Sequence, residues 1–108
     1  SAEGTGGEVR GYICFGKAPL TDGVYDLYWI VVHPAFWNRG VGSSLLSRAE
    51  EEIQRRQARL LLIETSSAPA YETPRAFYRQ RGYAELARVP DYYRPGEHKI
   101  IFGKKPPF

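Results

Sequence analysis

The sequence predicts an α/β (α+β) fold in a single domain, a mixed sheet with helices on its faces. Three observations predict it. Short apolar runs rich in Val, Ile and Tyr recur at strand length, and residues 42–57 carry their apolar side chains at helical spacing. A second, short helix is bracketed by Thr73-Pro74 and Gly82. The resulting order, β-β-α-β-α-β-β, is that of a sheet covered by helices. At 108 residues, 43% hydrophobic and 25% charged, the chain suffices for one modest core and is unlike a disordered segment.

Residues 1–7 are small, polar and glycine-rich, which predicts a flexible lead-in before the domain proper at 8–105. Residues 8–15 read as a strand, and 16–23, with Pro19, Asp22 and Gly23, as a loop. Residues 24–33 are nearly continuous in apolar side chains, the pattern of a strand covered on both faces; Asp26 is their one acidic member. In the helix at 42–57, Leu45, Leu46, Ala49 and Ile53 form one stripe, and Glu51–Arg55 and Glu52–Arg56 are favourably oriented i,i+4 pairs on a solvated face. Residues 60–64 read as a short buried strand and 66–70 as a loop. Thr73 is the expected cap of the second helix, which starts near Pro74 and stops at Gly82. Residues 83–89 and 99–103 read as two strands joined by a loop at 90–97.

Composition excludes several classes of function. The net charge of +3 suits an anionic ligand, but no long basic run interleaved with aromatics appears, so nucleic acid is not the expected partner. One cysteine, Cys14, rules out an internal disulfide and a multi-cysteine metal site, and no metal is expected; its place in a strand predicts a buried, inert thiol. No apolar run approaches the ~20 residues of a membrane helix. No secretory leader is visible either, and a cytoplasmic location is the expectation.

The segment with most to say about a ligand is Ile30-Val31-Val32-His33-Pro34-Ala35-Phe36-Trp37-Asn38-Arg39-Gly40-Val41-Gly42-Ser43-Ser44-Leu45-Leu46. A strand ends at a proline, a basic loop with two glycines follows, and an amphipathic helix begins. Free backbone N–H groups and a helix dipole then meet at one point, which suits a phosphate. A P-loop would require Lys-Ser or Lys-Thr at the helix start, where this chain has Ser43-Ser44. A dinucleotide turn of the Rossmann kind finds Glu64 at a suitable distance for a ribose. However, residues 34–39 intervene between strand and turn, and Leu45 stands where the third glycine belongs.

The same segment resembles the GNAT superfamily of acyl-CoA-dependent N-acyltransferases. The family's loop pattern, (Gln/Arg)-x-x-Gly-x-(Gly/Ala) after a Val-x-Pro strand end, is met by Val32-His33-Pro34 and Trp37 through Gly42, with Trp37 departing from the usual Gln or Arg. Further on, Arg75-Ala76-Phe77-Tyr78-Arg79-Gln80-Arg81-Gly82-Tyr83 resembles the family's Phe-Tyr-x-x-x-Gly-Phe segment; Tyr71 stands where an asparagine is often found ahead of it. The two patterns occur in the family's order, and the resemblance covers residues 8–104.

The resemblance implies a mostly antiparallel sheet of the acyl-CoA N-acyltransferase fold and a cleft for acetyl-CoA between splayed strands at 24–33 and 60–64. It implies pantetheine pairing with backbone groups of Ile30, Val31 and Val32, and pyrophosphate on the N–H groups of Arg39, Gly40, Val41, Gly42 and Ser43, Arg39 adding a charge, with Trp37 and Asn38 also among the cofactor-binding residues. A strand N–H near Val32 would polarise the thioester carbonyl. Tyr78 matches the general-acid tyrosine, a phenol suited to protonating the departing thiolate. Two carboxylates compete as base: Asp26, by spacing from Gly40, and Glu64, at the end of the other splayed strand. His33 reads as a loop-entry residue, and Ser66 and Ser67 as candidates for the acceptor pocket.

The family core begins with a strand and two helices that this sequence does not contain, and position 1 is not Met; a fragment, an excised domain or a shortened variant is expected. Weak CoA binding and slow acetylation by the chain alone follow, and an exposed edge or apolar face would be open to homodimerisation. The implied activity is acetyl transfer from acetyl-CoA to a primary amine, on a small molecule or a peptide, by direct attack. The alternatives are a non-catalytic CoA-binding or regulatory module, and a purely structural domain.

Overall fold

The structure, a computed structural model, describes residues 10–108 in full and residues 3–8 as backbone. The chain forms two compact units, Ser1–Leu61 with Lys105–Phe108, and Leu62–Lys104.

In the first unit β1 (Glu3–Glu8), β2 (Gly11–Lys17) and β3 (Val24–Val32) follow one another as antiparallel neighbours, and α1 (Val41–Arg55) packs on them. The expected lead-in is therefore corrected: residues 3–7 belong to a strand, Glu3 opposite Gly16 and Glu8 opposite Gly11, while residues 1 and 2 lie outside the described residues. A Gly-Thr-Gly-Gly run has no alternating side chains to announce a strand; the ladder to β2 makes it one.

The expectation that β3 is covered on both faces also fails. Tyr25 and Leu27 are buried, but Tyr28, Trp29 and Val31 are 40–51% exposed. A bulge explains the switch of phase. Leu27 pairs with Phe15 and Trp29 with Cys14, so Tyr28 is the extra residue. Before it odd positions face α1; after it Ile30 and Val32, half-buried, take that face. Cys14, opposite Trp29, is half-buried rather than buried.

α1 lays Leu45, Leu46, Ala49 and Ile53 against Ile13, Phe15 and Leu27, all at most 4% exposed, which removes most of their apolar surface from water. The helix closes with Ala58 N–H donating to the Ile53 carbonyl and Gln57 N–H to that of Gln54, a Schellman closure with Gln57 in the left-handed region (φ 60°). On its outer face Glu52 holds both arginines, Arg55 at 2.8 Å and Arg56 at 3.2 Å, so the expected Glu51–Arg55 pair gives way to an i,i+3 contact. Those hydrogen bonds, Arg55's first, hold the Glu52 carboxyl below its ordinary range.

In the second unit the strands lie in the order β4 (Leu60–Ser66, beginning in the first unit), β6 (Glu97–Lys104) and β5 (Ala84–Arg94). Ile63, Tyr83, Ile100 and Phe102 form its core. α2 (Glu72–Gln80) starts ahead of Thr73, after a 3-10 turn at Pro69–Tyr71 and with no side-chain cap. Pro74 is tolerated because the first-turn N–H it lacks would have no partner in the helix. The stop at Gly82 is as expected: Gly82 (φ 92°) donates to the Arg79 carbonyl and Tyr83 to that of Tyr78.

The loop expected at 90–97 is instead strand on both sides of a tight Pro95-Gly96 turn, with Arg94 opposite Glu97. Between the pairs Val89–Lys99 and Arg94–Glu97, four residues of β5 face His98 alone. Asp91 (φ 56°) pins this wide bulge: its N–H donates to His98 Nδ1 at 2.9 Å, and its carboxylate accepts from Gly96 N–H at 2.8 Å. Among the described residues no helix is long and apolar enough to cross a membrane, and no three His, Cys, Asp or Glu side chains gather as a metal site requires.

Candidate functional site

The strand end, turn and helix start predicted to meet an anion do come together in the first unit. β3 ends at Val32, and His33 caps a 3-10 turn (Pro34–Phe36), its Nδ1 accepting from Ala35 N–H at 3.1 Å. Trp37 then turns back: its indole N–H donates to the Val32 carbonyl at 2.8 Å, while the ring stays 62% exposed. The departure from the family's Gln or Arg thus has a physical consequence, a tie between the loop and the end of β3.

Asn38 (φ 63°) and Gly40 (φ 76°) are both left-handed and swing the chain into α1. Gly40 is the N-cap residue, no side chain caps the helix, and its first turn contains no acid. The first helical bond runs from Ser44 N–H to the Gly40 carbonyl, so the N–H groups of Val41 and Gly42 point out of the helix without an intrahelical acceptor. No acidic side chain of the first turn offsets the positive end of the helix dipole there. Exposed Arg39 stands beside it, its guanidinium 6.0 Å from the centre of the Phe36 ring.

Ladder phase sorts the strand-end residues. His33 N–H donates to the Arg10 carbonyl at 2.7 Å, and Val31 pairs with Tyr12. In an antiparallel ladder bonded residues alternate, so Val31 turns its backbone groups to β2 while Ile30 and Val32 turn theirs to the opposite edge. Of the three residues expected to pair with pantetheine, Val31 is therefore directed elsewhere.

Asp26, half-buried opposite Gly16, lies on the sheet face turned away from α1. Tyr78 sits in the second unit, ringed by Phe77, Tyr83 and Phe102 at centroid distances of 5.7, 6.1 and 6.2 Å. Burial pushes its phenol pKa up, so the proton is held more firmly than in a free tyrosine. Glu64, with a side chain 57% exposed, takes Lys99 Nζ at 3.2 Å on Oε1. The two serines are occupied: buried Ser66 donates to Glu97 at 2.6 Å, and Ser67 Oγ accepts from His98 N–H at 2.7 Å. Arg75 seals the turn after β4 by donating to the carbonyls of Ser66 and Ala68.

Sequence reasoning missed the group around Lys99. Its ammonium lies 4.6 Å from the centre of the Tyr92 ring, and Tyr93 stands edge-on to Tyr92 at 4.9 Å. The only signal in the sequence was the Tyr92-Tyr93 pair inside what read as a loop.

The fold and the loop define an α/β domain whose first helix starts uncapped behind two left-handed residues. The sequence family described as the acetyltransferase (GNAT) domain matches residues 2–85, and the chain belongs to that family. Among solved structures, a GNAT-family protein from Desulfovibrio desulfuricans is 38% identical, with a TM-score of 0.88 over 89% of this chain and 60% of its own. The ribosomal-protein-S18-alanine N-acetyltransferase of Escherichia coli is 21% identical, with a TM-score of 0.75 over 89% of this chain and 61% of its own. An aminoglycoside 6'-N-acetyltransferase in complex with coenzyme A is 16% identical, with a TM-score of 0.80 over 96% and 73%. The last two share the fold. The chain thus spans less than two thirds of the first two proteins. No curated protein matches the sequence.

Proposed function

We propose that the chain transfers an acetyl group from acetyl-CoA to a primary amine, on a small molecule or a peptide, by direct attack. The observation that carries this reading is the uncapped, acid-free start of α1 behind left-handed Gly40, in a chain of the GNAT family. Such a helix start takes the diphosphate of CoA on the N–H groups of Val41 and Gly42, with Asn38, Arg39, Gly40 and Ser43 around it. Outward groups of Ile30 and Val32 take the pantetheine amides as an added strand. Trp37 already occupies the Val32 carbonyl, so the Val32 N–H is the group left to polarise the thioester.

As the amine nitrogen bonds to the acetyl carbon, the carbon–sulfur bond breaks and the amine loses a proton. Asp26 or Glu64 accepts that proton, and the Tyr78 phenol protonates the departing thiolate. The phenol is protonated at neutral pH, and burial holds that proton more firmly still.

The three-ring surround of Tyr78 also suits a packing role, which favours a second reading, a CoA-binding module without catalysis. Acetyl-CoA-dependent turnover of an amine panel, with Tyr78→Phe alongside, separates the two. The first reading expects turnover that falls at least about a hundredfold in the variant, the usual weight of a general acid. Acetyl-CoA binding with no turnover establishes the second, and no shift in melting temperature with acetyl-CoA refutes both.

A further inference from the structure

We infer that the bulge of the β5–β6 hairpin, together with Glu64, forms a cation-recognition site that selects an acceptor carrying a second positive charge, a diamine-like molecule rather than a simple amine. The word acceptor rests on the transferase reading above; the cation site stands on its own geometry.

Four residues of β5 are set against one of β6, and the insertion is held open by the two hydrogen bonds of Asp91 in a left-handed conformation. A bulge of this kind re-aims side chains. What it presents here is Tyr92 and Tyr93, 55% and 43% exposed, their rings meeting at 84° to make two walls of a corner. Glu64 supplies the charge. Burial first, and then the Glu64 carboxylate, pushes the pKa of the Tyr93 phenol up, with Lys99 acting in the opposite direction. A carboxylate beside electron-rich ring faces is the chemistry that binds an ammonium.

The site contains such a group from the protein itself. The Lys99 ammonium is held at 3.2 Å by Glu64 and lies over Tyr92, and its charged form is stabilised first by the Glu64 hydrogen bond. Lys99 is thus a tethered stand-in for the ligand. Glu64 remains more than half exposed, so an arriving ammonium can exchange with Lys99 and leave the carboxylate paired throughout. The amine that reacts must be neutral, whereas the group bound here is charged, so the two are different nitrogens of one acceptor; with Glu64 engaged by the charged one, the role of base falls to Asp26.

Two probe pairs test this. Butylammonium and butanol, titrated without acetyl-CoA and followed by the ring signals of Tyr92 and Tyr93, read the cation site alone. Cadaverine and 5-aminopentanol, which differ in whether a second charged nitrogen accompanies the reacting amine, read selectivity in turnover once the statistical factor from cadaverine's two equivalent amines is taken out. The expectation is that butylammonium shifts the tyrosines and butanol does not, and that cadaverine has the lower KM. Lys99→Met removes the competitor and tightens butylammonium binding by about two- to fivefold, the range of an exposed ion pair. Tyr92→Leu weakens it about threefold or more. A merely structural Lys99 would not give tighter binding when lost. Equal responses to butylammonium and butanol, or unchanged affinity in Lys99→Met, overturn the inference. Cation discrimination without any acetyl-CoA response or turnover overturns the transferase reading instead, and turnover indifferent to the second charge overturns the acceptor class.

Discussion

Alanine at Gly40 and at Gly96 forms a matched pair of perturbations. Both glycines are left-handed, φ 76° and 85°, and a Cβ added at either meets nothing within 4 Å. The cost is therefore backbone strain alone, about 1–2 kcal/mol for a left-handed non-glycine residue. Part of it is offset by ~0.4–1 kcal/mol from the stiffer unfolded chain. The net loss is about 0.5–1 kcal/mol at each site, a fall of ~3–6 °C in melting temperature for a domain of this size.

Ligand should separate the two. Gly40 stands at the start of α1, where the proposed diphosphate lies, whereas Gly96 closes the β5–β6 hairpin. Acetyl-CoA at a hundred times its Kd adds ~2.7 kcal/mol to the native protein. If the Gly40 methyl group weakens binding tenfold, the same concentration adds only about 1.4 kcal/mol. Thermal melts with and without acetyl-CoA measure all four quantities. Gly40→Ala retaining the full ligand increment, or Gly96→Ala losing as much of it, would refute the placement of the donor at this helix start.

Two further outcomes follow from particular residues. Gln57 is exposed and left-handed at the end of α1, where glycine is the usual residue; Gln57→Gly should stabilise by about 0.5–1 kcal/mol in a denaturant titration, and a loss of stability would contradict the Schellman closure. Burial raises the Tyr78 pKa, so above pH ~10 the unfolded chain gives up this proton while the folded one keeps it. Stability should therefore fall as pH rises past ~10 and be unaffected by this group below it. Tyr78→Phe should flatten part of that fall, other parts belonging to Tyr93 and Lys99, whose pKa values are also raised. A pH profile identical to the native one would place Tyr78 in a more open setting.

The turn and helix start that follow β3 were legible because their signals are local. Glycines at 40 and 42, the proline after the strand and the stripe of Leu45, Leu46, Ala49 and Ile53 each act within a few residues. The stop of α2 at Gly82 was legible for the same reason, and the Pro95-Gly96 turn was present in the letters though read as part of a longer loop. Thr73 misled because a preceding 3-10 turn, not a side-chain cap, launches α2. Glu51 misled because a carboxylate can serve two arginines at once, and Glu52 does.

The sequence by itself determined the class of fold, the order of its elements after residue 10, and the turn and helix start proposed to meet the donor. These follow from hydrophobic period and from residues with restricted or unusual backbone freedom. Only the tertiary structure decided what depends on pairing between distant segments. A glycine-rich run became β1 because β2 lay beside it; one extra residue at Tyr28 reversed the faces of β3; ladder phase took Val31 from the site and left Ile30 and Val32. Glu64 and Lys99, thirty-five positions apart, met the tyrosines of a bulge that no local pattern encodes. Register is a property of two strands together, and neither strand carries it alone.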